Sequence, residues 1–117
     1  MQWKDLEVWK KAHELVLEMY QVTNSFPNNE MYGITNQLRR ASSSVAANIV
    51  EGQSRNTTKE YLQFLYNARG SLEETRYFLI LAKDLQYLEV PGYNLYEQHC
   101  EIVSKMLNGL IKALKRP

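Results

Sequence analysis

The chain has 117 residues, of which 44% are hydrophobic and 23% charged, and its net charge is +1. This length favours a single domain over residues 1–117, and the near-neutral charge argues against a strongly basic nucleic-acid binder while still permitting a local basic patch. Cys100 is the only cysteine, no signal-peptide pattern is visible, and no window approaches the ~18 apolar residues of a membrane span. We therefore expect a cytoplasmic protein with no membrane association.

Few helix-breaking residues interrupt the sequence. Proline occurs only at positions 27, 91 and 117, and apolar residues recur with the period of an α-helix. The pattern predicts helices at about residues 4–25, 31–52, 58–85 and 93–115, joined by short links. Short links favour antiparallel neighbours. The expected fold is all-α: an antiparallel up-down-up-down four-helix bundle.

The first predicted helix carries two apolar rows. The row that we assign to the core comprises Val8, Ala12, Leu15, Met19, Val22 and Phe26. Trp9, Val16 and Tyr20 form the second row, rotated by about 100° around the helix axis. One wide core-facing surface would also explain both rows. We predict instead that Trp9, Val16 and Tyr20 form an interface with another subunit.

The second predicted helix has a middle of small residues, 41–47 (ASSSVAA), which predicts close packing against a neighbouring helix. Its core row is Ile34, Leu38, Ala41, Val45 and Ile49, and Gly52 is the predicted stop. Asn48 and Glu51 are three residues apart and share a face. We predict that they form a buried polar clamp, with Arg40, Arg69 or Arg76 as the partner that a buried carboxylate needs. A functional carboxylate is the alternative.

The third and fourth predicted helices complete the core. Thr57 and Glu60 form a capping box at the start of the third helix. Gly70 lies inside that helix, where glycine costs about 1 kcal/mol relative to alanine, so we expect close packing there. Pro91 and Gly92 are assigned to the last link. The core row of the third helix is Tyr61, Leu65, Ala68, Leu72, Leu79 and Ala82. The core row of the fourth helix is Tyr93, Tyr96, Cys100, Val103, Leu107, Leu110 and Leu114.

No enzyme signature is present. Di-iron bundles use Glu-x-x-His pairs, but Lys10 and Tyr96 stand three residues before His13 and His99. The serines at 42–44 point in three different directions, so they do not form one nucleophilic site. We expect no enzymatic activity, no metal and no cofactor.

Basic residues form the remaining pattern. Arg69, Arg76 and Lys83 recur every seven residues and share one stripe of the third helix, with Tyr66 among them. Arginines and lysines beside an aromatic ring are typical of binding to a nucleic-acid backbone. Glu73 interrupts the stripe, so a solvated surface of mixed charge is the alternative. The predicted nucleic-acid-binding residues are Arg39, Arg40, Arg55, Lys59, Arg69, Arg76 and Lys83.

Several segments together resemble one family. They are residues 6–12 (LEVWKKA), 26–27 (FP) with 30–35 (EMYGIT), 37–41 (QLRRA), 47–52 (ANIVEG) and 68–74 (ARGSLEE). The chain is similar to the four-helix-bundle proteins encoded in intervening sequences of bacterial 23S ribosomal RNA. It also resembles the related accessory variability proteins of diversity-generating retroelements. Val50 stands where the family usually has alanine.

The resemblance implies a bacterial, cytoplasmic, non-enzymatic protein that forms homo-oligomers, with pentameric rings as the expected assembly. It implies nucleic acid as the partner, or a reverse transcriptase in the retroelement case. Combined with the basic residues, it predicts a homo-pentameric helical module that binds RNA or DNA. The alternative is an assembly or scaffold protein that binds a protein partner, such as a reverse transcriptase, without contacting nucleic acid.

Overall fold

The computed structural model of the protein describes residues 2–116. These residues contain no strand and form the helices α1 (Glu7–Thr23), α2 (Ile34–Gln53), α3 (Thr58–Asp84) and α4 (Val90–Leu114). Short 3-10 turns, Trp3–Asp5 and Asn28–Glu30, precede α1 and α2. The prediction of an all-α protein with four helices is confirmed. Met1 and Pro117, which the predicted domain includes, lie outside the described residues.

The helix ends differ from the predicted bounds where the local backbone decides them. α4 begins at Val90, with Pro91 in its first turn. Proline is tolerated there because the first N–H groups of a helix have no intrahelical partner. α2 begins at Ile34, after the 3-10 turn and a non-helical Gly33, and continues through the predicted stop at Gly52.

Each helix contacts two others. α2 lies against α1 and α3, and α4 lies against α3 and α1, in a molecule of 47 × 24 × 20 Å. The most extensive of these contacts joins α2 to α3. One side-chain pair marks each contact: Arg39 with Thr23, Ser44 with Ser71, Arg76 with Glu97, and His99 with Glu18.

Most residues of the predicted core rows are buried. Six are only half-buried, namely Val22, Tyr61, Tyr93, Tyr96, Leu110 and Leu114. Ile111, which lies outside the predicted rows, is buried. Buried hydroxyls are satisfied inside their own helices: Ser42 donates to the Leu38 carbonyl over 2.8 Å, and Thr75 donates to the Ser71 carbonyl over 2.9 Å. Small polar residues can therefore line the contact between α2 and α3 without leaving a buried donor unpaired.

Two glycines of the helices, Gly70 of α3 and Gly52 of α2, differ in the space around them. A Cβ on Gly70 would have no atom within 4 Å, so the predicted close packing at this position is wrong. A Cβ on Gly52 would lie 2.8 Å from Cδ1 of Tyr61 and 3.0 Å from Cβ of Phe64. Tyr61 and Phe64 of α3 thus pack tightly against Gly52 at the end of α2, where the chain is about to turn into α3.

We predict that Gly70→Ala raises the free energy of unfolding by about 0.5–1 kcal/mol, because alanine removes the entropy penalty of a helical glycine without meeting a neighbour. The matched variant Gly52→Ala should lower it by about 1–3 kcal/mol through overpacking. Urea unfolding followed by circular dichroism measures both. Equal effects of the two substitutions would contradict this account.

Candidate nucleic-acid interface

The cysteine and the two histidines, which are the side chains most able to take part in catalysis, are buried or in contact with other side chains of the chain. Burial raises the pKa of the Cys100 thiol to about 12, so it is protonated at neutral pH. The His13 ring stacks on Trp9, and Nδ1 of His99 lies 2.7 Å from the Glu18 carboxylate. Within residues 2–116, no group of three or more His, Cys, Asp or Glu side chains is arranged so that it could hold a metal ion. None of the described helices is both long and apolar enough to cross a membrane.

The predicted polar clamp does not form. Nδ2 of Asn48 donates to the carbonyl of Ser44 over 2.8 Å, inside its own helix. The Glu51 side chain is 55% exposed and pairs with Nη2 of Arg55 at 2.8 Å. Ile49 is the buried residue of this turn, and Glu51 is rotated roughly 200° from it, toward solvent. The carboxylate therefore pairs with a neighbour at the surface.

Arg76, a predicted nucleic-acid-binding residue, forms ion pairs with carboxylates of its own chain. Its Nη2 lies 2.5 Å from Glu97 and 3.3 Å from Glu101, and its Nη1 lies 3.1 Å from Glu73. The hydrogen bond to Glu97 raises the pKa of the guanidinium, which is 24% exposed. Two of these carboxylates come from α4, so a stripe on the third helix could not reveal them. Arg76 joins α3 to α4 and has no free charge for a phosphate.

Arg39 is also engaged, but by neutral groups. Its Nε donates to Oγ1 of Thr23 over 2.9 Å, and its Nη2 donates to Oδ1 of Asn24 over 3.1 Å. The guanidinium lies 4.7 Å from the centre of the Tyr20 ring. Arg39 therefore fastens the end of α1 to the start of α2.

Two further predicted cations have partners nearby. Arg55 pairs with Glu51, and its guanidinium lies 4.5 Å from the ring centre of Phe64. Nζ of Lys83 lies 4.0 Å from Asp84 and 4.4 Å from the ring centre of Tyr93. These cations cover aromatic surface and neutralise carboxylates of their own chain.

The other three predicted residues, Arg40, Lys59 and Arg69, are exposed, and none has a carboxylate within ion-pair distance in the described part of the chain. Nη1 of Arg69 donates to Oδ1 of Asn108 over 3.2 Å, and its guanidinium lies 5.1 Å from the Tyr66 ring centre. Of the seven predicted cations, these three and the half-buried Arg39 keep a charge that no carboxylate of the described chain offsets at short range.

A second group of cations lies beside Arg69. A cleft of about 410 Å³ between α3 and the end of α4 is lined by Arg69, Asn108, Ile111, Lys112, Lys115 and Arg116. We call it the basic cleft. The predicted nucleic-acid-binding residues do not include Lys112, Lys115 or Arg116, so the sequence analysis missed them. One signal was available: residues 102–116 contain four cations and no carboxylate, namely Lys105, Lys112, Lys115 and Arg116.

The oligomer interface at Trp9, Val16 and Tyr20 remains a prediction. The Trp9 ring meets Trp3 edge-on at 4.9 Å and stacks on His13 at 5.2 Å. Val16 is half-buried, and Tyr20 is exposed beneath Arg39. Contacts inside the chain therefore account for much of the Trp9 surface, and Tyr20 is the most accessible of the three.

Fold and surface together define a small all-α protein of four helices with an exposed cationic surface. The model of the 23S rRNA-intervening sequence protein family matches residues 4–109, and the chain belongs to that family. The resemblance to this family found in the sequence is confirmed.

A solved structure has the same fold. It is a protein of unknown function from the S23 ribosomal protein family of Bacteroides thetaiotaomicron VPI-5482, and the superposition has a TM-score of 0.84. The match covers 90% of this chain and 95% of the other at 23% identity, so the likeness concerns the fold alone. No protein with a curated description matches the chain.

We predict that Arg76→Gln lowers the free energy of unfolding at neutral pH by about 1–3 kcal/mol, because hydrogen bonds to charged groups are lost and three carboxylates are left together. The difference from wild type should shrink in acid, where carboxylates are protonated. Arg55→Gln is the control, since an exposed pair contributes about 0–1 kcal/mol. Chemical unfolding at several pH values measures this, and a difference independent of pH would contradict the electrostatic explanation.

Proposed function

We propose that the protein is a non-enzymatic, homo-oligomeric helical module of the cytoplasm that binds the backbone of RNA or DNA through exposed cations. Arg69 carries the proposal. Its guanidinium is held by a neutral amide and an aromatic ring, so its charge is positioned without being neutralised. A bound phosphate would be the anion that the described chain does not provide, and it would accept a charge-assisted hydrogen bond from the guanidinium.

The fold in which this surface would act is the antiparallel up-down-up-down bundle. Support comes from two pairs between α3 and α4, Arg69 with Asn108 and Arg76 with Glu97. As the residue number rises along α3, that of the partner on α4 falls. A rigid bundle would hold the cations at set distances, which suits the regular spacing of phosphates.

We propose a pentamer as the assembled form. Support comes from apolar side chains that the described chain leaves uncovered: Leu17 is 56% exposed and Tyr20 is 46% exposed on α1, and Ile102 is 46% exposed on α4. In a ring, each cationic surface would be repeated, and the fields of the copies would add. Repetition would compensate for the near-neutral charge of one subunit.

Binding of a protein partner, such as a reverse transcriptase, is the second candidate. The turn between α1 and α2 favours it, because Tyr32 is 95% exposed and Met31 beside it is 45% exposed. Tyrosine and methionine are enriched at protein interfaces. This surface carries no exposed cation cluster of its own.

The first test is the salt dependence of binding to a panel of RNA and DNA oligonucleotides. The variant Arg40→Gln/Lys59→Gln/Arg69→Gln should weaken binding and flatten the plot of log affinity against log salt. The control, Lys10→Gln/Lys11→Gln/Arg55→Gln, removes the same charge from cations that already have carboxylate partners. Wild-type affinity that does not fall as salt rises would contradict phosphate contact.

The second test concerns assembly. Light scattering of the wild type should give the mass of a pentamer, and Tyr20→Glu should lower it, because a charge would be buried in the interface. Gln21→Glu adds the same charge at an exposed neighbouring position and should leave the mass unchanged. A wild type that is monomeric at micromolar concentration would exclude the ring.

A further inference from the structure

The basic cleft brings together charges from two helices. Arg69 belongs to the middle of α3, whereas Lys112, Lys115 and Arg116 belong to the end of α4 and the residues after it. Among the described residues, no carboxylate lines the cleft; its remaining lining residues are Asn108 and Ile111. Like charges this close repel one another, and the described chain places no compensating anion among them.

The dipole of α4 explains only some of the cations in the basic cleft. Cations are favoured near the C-terminus of a helix because they offset the partial negative charge of its last carbonyls. That explains Lys112, Lys115 and Arg116. It does not explain Arg69, which comes from a different helix and is held toward the cleft by Asn108 at 3.2 Å. Another explanation is therefore needed for the position of Arg69 beside the cations at the end of α4.

The chemistry of the lining selects one kind of ligand. Arginine offers a fork of N–H donors that matches phosphate oxygens, and lysines add compact point charges. Asn108 has an amide whose oxygen accepts from Arg69 and whose nitrogen points to Ser104, so it orients the guanidinium without neutralising it. A volume of about 410 Å³ is large enough for a phosphate with its attached sugar.

The charge of the residues that precede the cleft along the chain, from the end of α3 into α4, restricts where such a ligand can lie. Residues 84–104 contain Asp84, Glu89, Glu97 and Glu101 and no lysine or arginine. A polyanion that follows α4 would therefore be attracted to its C-terminal end and repelled from its N-terminal half. The cationic surface is confined to one end of the contact between α3 and α4.

We propose that the basic cleft is a binding site for phosphate groups of a nucleic-acid strand, with Lys112, Lys115 and Arg116 acting together with Arg69. This inference rests on the proposed function and deepens it, because it names the place and the residues of phosphate contact. Contact through the phosphates predicts binding that does not depend on base sequence.

Fluorescence anisotropy with a labelled, single-stranded oligouridine tests the site on the full chain. The slope of log affinity against log salt should become shallower by at least about 1.4 in Lys112→Gln/Lys115→Gln, because each lost phosphate contact on a single strand removes about 0.7. Lys10→Gln/Lys11→Gln removes the same charge outside the cleft, from lysines that already have carboxylate partners, and should leave the slope unchanged. Arg69→Lys keeps the charge but loses the fork, so it should weaken binding at an unchanged slope.

Titration with inorganic phosphate separates the sources of the ligand. Binding should shift the NMR signals of the Asn108 side-chain amide and of the Arg69 Nε–H, and the shifts should be lost in Lys112→Gln/Lys115→Gln. Phosphate shifts without any oligonucleotide binding would show a site for free phosphate only, and would overturn both the contact with a nucleic-acid strand and the proposed function. Oligonucleotide binding with equal slopes in cleft and control variants would overturn the site and leave the proposed function standing. If neither ligand shifts these signals, the site is overturned.

Discussion

The close contact between α2 and α3 is the constraint on which the other contacts depend. Small residues at 41–47 let α2 approach α3, and the hydroxyls of Ser44 and Ser71 hydrogen-bond across the contact over 2.9 Å. At its end, Gly52 fits against Tyr61 and Phe64, where even a methyl group would clash. Because protein interiors are densely packed, this contact sets the position of α3 along the axis of α2. The position of every cation on α3 follows from it.

Packing then divides the cations by the partners that each position offers. Arg76 meets the acidic half of α4 and forms ion pairs with Glu97 and Glu101. Arg69, seven residues earlier on the same stripe, meets the half of α4 that carries no carboxylate and is held by Asn108. The two arginines have equal charge and equal position in the repeat. Their roles differ because the charge of α4 changes along its length.

Membership of the 23S rRNA-intervening sequence protein family and the arrangement of charge address different questions. The family match and the solved relative establish which fold this chain adopts. Neither of them assigns a ligand or an assembly. Cations without carboxylate partners favour nucleic acid as the partner, whereas exposed apolar side chains such as Tyr32 favour a protein. Both surfaces can exist on one bundle because they lie on different helices and turns.

The sequence by itself determined the helices and most of the core. Apolar periodicity identified the buried rows of α1 and α2, since a residue's side of a helix follows from 3.6 residues per turn. Helix starts such as Val90 and Ile34 were less accurate, because local backbone geometry decides them. Periodicity also could not show that Gly70 has open space, which depends on neighbouring helices.

Only the tertiary structure decided which charged residues are available. The stripe of α3 grouped Arg69 with Arg76, and the spacing of Asn48 and Glu51 suggested a clamp that does not form. The partners of these side chains lie up to 39 residues away along the chain, as for Arg69 and Asn108. One helix determines which direction a side chain points, but whether a charge is neutralised depends on what the neighbouring helix places opposite it.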